Sequence, residues 1–317
     1  MKKTISIVIP VYNEEKNILA IYDALMTAWA KLPLYDYECI FVNDGSLDGS
    51  ELVVAGLMNR DPKVKYIEFS RNFGKEMATT AGLRLSGGDA AIMIDADLQH
   101  PPTLIPELVS RWEEGADIVI GLRTANTGNG LTKSFGSWIF YRIMGLISET
   151  SMKHGETDFR LIDRRVISAF SALSEHQRMT RSLINWLGFK KSYVNFEAPA
   201  RLHGEAQYSR RKLIHLAVYS FVTNSLAPLR WAGYLGFVIT FSSAVLGLVI
   251  FVNRYGLGDP FGWKISGSAQ LTIINVFLVG IVLMALGIIS LYIGNINTEV
   301  ADRPLYVVRK KVNFIDK

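Results

Sequence analysis

Two stretches of this 317-residue chain, residues 231–252 and 271–293, carry no charged side chain at all. Each exceeds 20 residues, enough at about 1.5 Å rise per residue to cross a hydrocarbon core about 30 Å thick. A pair of buried core helices is the alternative, but core helices are rarely so long and uncharged. Whatever else the chain does, its last third is therefore expected to be a pair of membrane-spanning helices. Basic residues flank them: Lys190, Lys191, Arg201, Arg210, Arg211, Lys212 and Arg230 before, and Arg303, Arg309, Lys310 and Lys311 after. The connection between the stretches holds only Arg254 and Lys264. Lys and Arg accumulate on the cytoplasmic side, so both long ends are expected there, in a multi-pass protein of the cell (inner) membrane. The early apolar run is cut by Pro10, Asn13, Glu14 and Glu15, too soon for a signal peptide.

Upstream the pattern changes. Residues 5–11, 38–42, 64–69, 90–94 and 117–121 read as strands, with helices expected from about residue 15 to Trp29 and over 47–58, 75–85 and 103–114. That alternation predicts an α/β domain with a mostly parallel sheet covered on both faces. Less regular helices are expected over 138–149, 164–173 and 181–187. The expected organisation is a catalytic domain over 1–200, a basic juxtamembrane segment over 201–229, two spans within 230–296, and a cytoplasmic tail over 297–317. Residues 210–226 are moderately amphipathic and could lie in the membrane interface or pack on the domain. Net charge is +5, from 34 Lys and Arg against 29 Asp and Glu, too modest to suggest nucleic acid. The single cysteine, Cys39, precludes an intramolecular disulfide and fits a reducing compartment.

The chemistry is concentrated where strands end. The fourth strand runs into DADLQHPP, residues 95–102. Side chains two apart on extended chain point the same way, so Asp95, Asp97 and Gln99 can face one cavity. Three oxygen ligands suit a hard divalent ion, Mg²⁺ or Mn²⁺, with positions left for phosphate oxygens. An Asp-rich turn with helix caps is the alternative for D-x-D alone. Asp44 and Glu14 at neighbouring strand ends strengthen the functional reading, since ligands of open α/β sheets bind beyond the carboxyl ends of the strands. No G-x-G-x-x-G or G-x-x-x-x-G-K-[ST] occurs, which disfavours a dinucleotide fold or a P-loop.

In order, SIVIPVYNEE, VNDGSLDGS, SRNFGKE, DADLQHPP and DFRLIDRRV resemble glycosyltransferase family 2. More narrowly they resemble the polyprenyl-phosphate glycosyltransferases: dolichol-phosphate mannose synthases and bactoprenol glucosyltransferases with two C-terminal spans. The resemblance implies a Rossmann-like GT-A domain, a nucleotide-sugar donor, a divalent metal, a polyprenyl phosphate acceptor and homo-oligomers. It implies that Pro10, Tyr12, Glu14, Val42 and Asp44 hold the nucleoside. Asp95 and Ala96 line the donor, Lys75 lies near the nucleotide, and Asp97 and Gln99, with Asp95, hold the metal. Arg123 and Arg201 match positions expected to meet phosphate, and Asp158 matches the family's base position, as a base or as an orienting group. The family's G-E-S-K-Y is here Gly204-Glu205-Ala206-Gln207-Tyr208. Gln207 thus removes a phosphate-binding charge that Arg210 or Arg211 could restore.

These matches imply transfer of one sugar, with UDP-glucose favoured over UDP-N-acetylglucosamine, UDP-galactose or GDP-mannose. A processive polysaccharide synthase shares the donor motifs, but its Q-x-x-R-W signature is absent: Arg230-Trp231 follows Ala227. A membrane scaffold with a dead transferase domain is the other competitor, opposed by the intact Asp44, Asp95, Asp97 and Gln99.

Overall fold

The apolar run near the N-terminus becomes β1 (Lys3–Val11), with Ile5, Ile7, Val8 and Ile9 wholly buried. Strands apolar on both faces belong inside parallel sheets. β1 pairs in parallel with β2 (Tyr35–Asn43) on one side and β4 (Ala90–Met93) on the other. Ile5, Ile7 and Ile9 pack towards Ile18, Ile21 and Leu25 of α1 (Glu15–Trp29). Val8 faces the opposite layer, with Leu83 of α3 (Lys75–Leu85) and Ile167 and Phe170 of α5 (Arg164–Ala172). Cys39 lies fully buried in β2, where burial pushes its thiol pKa up.

The computed structural model describes residues 2–124, 153, 155–176, 178–197, 245, 248, 252 and 267–314. It comprises two compact units: Met1–Gln207 with Arg303–Lys317, and Tyr208–Asp302. The first unit is built on an eight-stranded sheet of order β7-β5-β6-β4-β1-β2-β3-β8. Its remaining elements are α2 (Ser50–Arg60), β3 (Val64–Phe69), α4 (Ile105–Glu113), β5 (Ile118–Arg123), β6 (Glu156–Asp163), α6 (Thr180–Trp186), β7 (Lys191–Phe196) and β8 (Val308–Val312). Four pairings are parallel; β6 against β4 and β5, and β8 against β3, are antiparallel.

All five expected strands are present, and three more appear. β6 is the DFRLID motif itself. Its alternation buries Phe159 and Leu161 on one face and Ile162 on the other, but Arg160 interrupts the apolar pattern. Arg160 is nonetheless fully buried: its Nε donates to the Thr157 carbonyl (2.9 Å) and one Nη faces Glu156 (3.4 Å). β8 comes from the segment expected as a separate tail. Residues 303–317 return to the first unit, and β8 carries Arg309, Lys310 and Lys311 at the sheet edge, where charges discourage further strand addition.

In the second unit, the second charge-free run lies inside α7 (Gly267–Val300), 34 residues and about 51 Å long at the usual rise. Among the described residues no helix is long and apolar enough to cross a membrane. The helix expected over 138–149, the segment 201–229 and most of 231–252 lie outside the described residues.

Candidate functional site

Because β4, β1 and β2 are neighbours and parallel, the segments that follow them meet on one edge of the sheet. Asp44 and Asp95 lie just past β2 and β4, the two strands that flank β1. Reciprocal hydrogen bonds lock the first two segments. Ser46 Oγ accepts from the Asn13 amide (3.0 Å), Asn13 Oδ1 accepts from the Leu47 amide (2.8 Å), and Ser50 Oγ accepts from the Glu14 amide (3.2 Å). Glu14 Oε2 accepts from Asn17 Nδ2 (2.6 Å) at the start of α1, and Tyr12 is half-buried nearby. Val42 is wholly buried among Ile40, Ile67, Phe69, Ala78 and Ala81, so its side chain is core.

Asp44 is 2% exposed and grips the loop before α3. Its Oδ1 accepts from the Phe73 amide (2.7 Å) and its Oδ2 from the Gly74 amide (2.9 Å). Burial pushes its pKa up, against the pull of those two amides. The loops approach so closely that a Cβ on Gly45 (φ +70°) would stand 2.6 Å from the Arg71 carbonyl carbon. Asp44 thus fixes the start of α3, and with it Lys75.

Lys75 is the hub of the site. Its Nζ lies 2.6 Å from Asp95 Oδ1, 2.8 Å from Asp95 Oδ2 and 3.1 Å from Asp158 Oδ2. The other oxygen of Asp158, Oδ1, accepts from Arg181 Nε (3.0 Å) and Nη2 (2.8 Å), while Arg181 Nη1 donates to the Glu156 carbonyl (3.2 Å). Burial alone would raise the Asp158 pKa. The Lys75 and Arg181 charges, with their hydrogen bonds, overcome it and hold the carboxyl well below the usual range. Burial likewise pulls Lys75 down, and Asp95 and Asp158 more than offset it, keeping the ammonium charged. Beneath them His100 is buried, stacked on Phe159 (ring centroids 5.4 Å apart), and its Nδ1 faces the Asp95 amide (3.3 Å). Burial lowers the His100 pKa, favouring the neutral ring. Glu76 Oε2 accepts from the Thr180 amide (2.9 Å), tying α3 to α6. Pro10, Lys75, Glu76, Met93, Asp95, Asp158 and Thr180 line one cleft.

Ala96 is buried, and Asp97 and Gln99 are half-buried in the turn after β4. Asp97 Oδ1 accepts from the Gln99 amide (3.1 Å), and Leu98 takes φ +60°. Among the described residues no three His, Cys, Asp or Glu side chains converge to cage a metal. The donor set still fits Mg²⁺ or Mn²⁺, since such ions are held by one or two carboxylates plus phosphate and water oxygens. Each carboxylate offers about four lone-pair sites, so a carboxylate that accepts hydrogen bonds can also ligate an ion. Arg123 ends β5 exposed, its amide donating to the Gly155 carbonyl (2.9 Å). Arg201, Gln207, Arg210 and Arg211 lie outside the described residues.

Arg181 was not singled out from the sequence. The available signal was positional: a cation in the first turn of a helix opposes the helix dipole, so its presence there calls for a carboxylate partner.

The family model for glycosyl transferase family 2 matches residues 6–170. The chain is 37% identical over 313 residues to a Bacillus subtilis protein named "Uncharacterized glycosyltransferase YkcC", covering 98% of this chain and 95% of that protein. It is 34% identical over 306 residues to the "SfII prophage-derived bactoprenol glucosyl transferase" of Shigella flexneri, covering 96% and 97%. Among solved structures, mannosyl-3-phosphoglycerate synthase from Rubrobacter xylanophilus superposes with a TM-score of 0.50 at 20% identity, over 73% of this chain and 75% of that one. That likeness is one of fold, α/β and GT-A-like with a mostly parallel sheet. With matching motifs over half its length and relatives aligned almost end to end, the chain belongs to glycosyl transferase family 2.

Proposed function

We propose that the protein transfers one hexose, glucose from UDP-glucose, to a polyprenyl phosphate such as undecaprenyl phosphate at the cytoplasmic face of the cell membrane. The observation that carries this reading is the Asp95–Lys75–Asp158–Arg181 chain at the edge where three strands end. The near full-length similarity to proteins named bactoprenol glucosyl transferases supports the acceptor class.

In the reaction, a phosphate oxygen of the lipid attacks the anomeric carbon. A C–O bond forms there as the bond to the diphosphate breaks, UDP leaves, and direct displacement inverts the anomeric centre. A phosphate monoester loses its second proton near pH 6, so the nucleophile is already largely anionic at neutral pH. Asp158, with both oxygens clasped by cations, is a poor proton acceptor; its work is to hold Lys75 and Arg181 in place. Those two cations supply positive charge where the diphosphate gains negative charge, a contribution that often dominates catalysis. Asp97, with Asp95 and Gln99, would hold Mg²⁺ or Mn²⁺, which supplies Lewis-acid neutralisation of the diphosphate when bound. A long lipid cannot leave the bilayer cheaply, at about 0.8 kcal/mol per CH₂. A bilayer anchor in residues 231–252 and 271–293, beside the basic residues Arg201, Arg210 and Arg211, suits such an acceptor.

The test is to incubate the purified full-length protein with undecaprenyl phosphate and a panel of labelled nucleotide sugars, with and without EDTA. Lipid-extractable label from UDP-glucose, lost on chelation, is expected. Label from another donor alone would replace glucose, and no label from any donor would refute lipid glycosylation.

A further inference from the structure

We propose that Lys75 is a resident counter-ion of the D-x-D carboxylate: it occupies Asp95 until a divalent cation displaces it, and the freed ammonium then turns to the donor's diphosphate. This rests on the nucleotide-sugar reading of the site. The geometry behind it is specific. Lys75 Nζ contacts both oxygens of Asp95, at 2.6 and 2.8 Å, the same two atoms a hard cation would use. The Lys75 side chain is 41% exposed and those of Asp95 and Asp158 are 26% and 24% exposed, so the ammonium can swing without opening the core. It also has a second anchor, Asp158 at 3.1 Å. Asp158 is itself fixed by two hydrogen bonds from Arg181, so losing Asp95 does not cut Lys75 adrift. The backbone of Asp95 is anchored separately, its amide donating to His100 Nδ1 (3.3 Å), so the residue stays in place while its cation changes.

Cation and lysine therefore compete for Asp95, while cation and diphosphate cooperate through Lys75. Two sites coupled through one shared group must show that coupling reciprocally. Removing the ammonium should tighten divalent-ion binding to the nucleotide-free protein and weaken the mutual enhancement of ion and nucleotide. A purely structural lysine would not move the two in opposite directions.

The experiment is titration of the full chain in detergent with Mn²⁺ alone, with UDP alone, and with each in the presence of the other. Free Mn²⁺ is read by paramagnetic resonance and UDP by calorimetry, for wild type, Lys75→Met and Lys75→Arg. Lys75→Met is expected to bind Mn²⁺ alone about two- to fivefold tighter, the range a partly exposed ion pair is worth. Its Mn²⁺-dependent gain in UDP affinity should fall at least about threefold, as expected for a lost charge-assisted contact. Lys75→Arg, which keeps the charge, should stay within about twofold of wild type for Mn²⁺. Adding Asp97→Asn to Lys75→Met should erase the gain. Unchanged or weaker Mn²⁺ binding by Lys75→Met, no Mn²⁺ binding by either protein without UDP, or a gain that survives Asp97→Asn would each overturn the proposal. A protein that binds Mn²⁺ as described but glycosylates no lipid would instead refute the proposed function and leave the exchange at Lys75 standing.

Discussion

Asp158 has a cation on each oxygen, and that fixes what it can contribute. Its pKa is depressed in the folded protein, so its stabilising contribution is complete above the ordinary aspartate pKa of about 3.9 and is lost as pH falls further. The difference in melting temperature between wild type and Asp158→Asn should therefore be constant from pH 5 to 8 and shrink only below about pH 4. Catalysis should follow a different group. The acid limb of kcat is expected near pH 6, from the second ionisation of the acceptor phosphate. Asp158→Asn should lower kcat by about 10²-fold, through misplaced cations, without moving that limb. A limb that vanishes in the variant would restore Asp158 as the base. Gly45 supports the same site from the other side. At φ +70°, and with an added Cβ only 2.6 Å from the Arg71 carbonyl carbon, its replacement by alanine combines left-handed strain of about 1–2 kcal/mol with a backbone clash. Gly45→Ala should loosen the grip of Asp44 on the 71–74 loop and weaken UDP binding, read by calorimetry.

Elements whose signals are local were legible, and those that depend on distant partners were not. α3 was expected over 75–85 and is found at Lys75–Leu85, between a glycine with φ +101° and the extended Ser86. β6 and β8 escaped because charged residues break an apolar pattern: Arg160 is compensated inside its own strand, by Glu156 and the Thr157 carbonyl, whereas Lys310 of the edge strand is compensated by Glu51 far back in the chain. The site divides the same way. Asp95 at a strand end is readable in the sequence, but the chain turns at Asp97 and Leu98 takes φ +60°, so period two does not run through the motif. The Lys75–Asp158 contact joins residues 83 apart, and Arg181 reaches Asp158 from α6. β8 makes a prediction of its own. Tyr306, just before it, stacks on Phe69 (centroids 4.9 Å, 15° between planes), and Phe69 meets Phe73 edge-on at 5.7 Å. Phe73 donates its amide to Asp44, so the returning segment packs against the back of the site loop. Tyr306→Ala should cost about 1–3 kcal/mol from lost ring contact and burial, a fall of about 2–10 °C in melting temperature. Deleting residues 305–317 should go further, exposing the β3 edge and causing aggregation.

At the scale of the whole molecule, the central question is whether the two charge-free stretches cross the bilayer, and the single cysteine gives a clean way to ask it. Cys39 is fully buried in β2, so the wild-type protein should resist a membrane-impermeant maleimide in intact cells and in inverted vesicles. Two crossings with both long ends inside require the 253–270 connection to face outward, consistent with its having only Arg254 and Lys264. Gly258→Cys should then react in intact cells, whereas Lys317→Cys should react only in inverted vesicles. Labelling of both positions from the same side would mean that the stretches do not form two spans. The sidedness matters for the chemistry as well. In the proposed reaction a cytoplasmic nucleotide sugar must meet a lipid phosphate lying in the plane of the membrane. Two spans would hold a catalytic edge at the inner face and bring donor and acceptor together without extracting the lipid. On that proposal a charge-bearing substitution such as Leu283→Arg, at the middle of α7, should abolish membrane retention or lipid glycosylation while leaving UDP binding to the first unit intact.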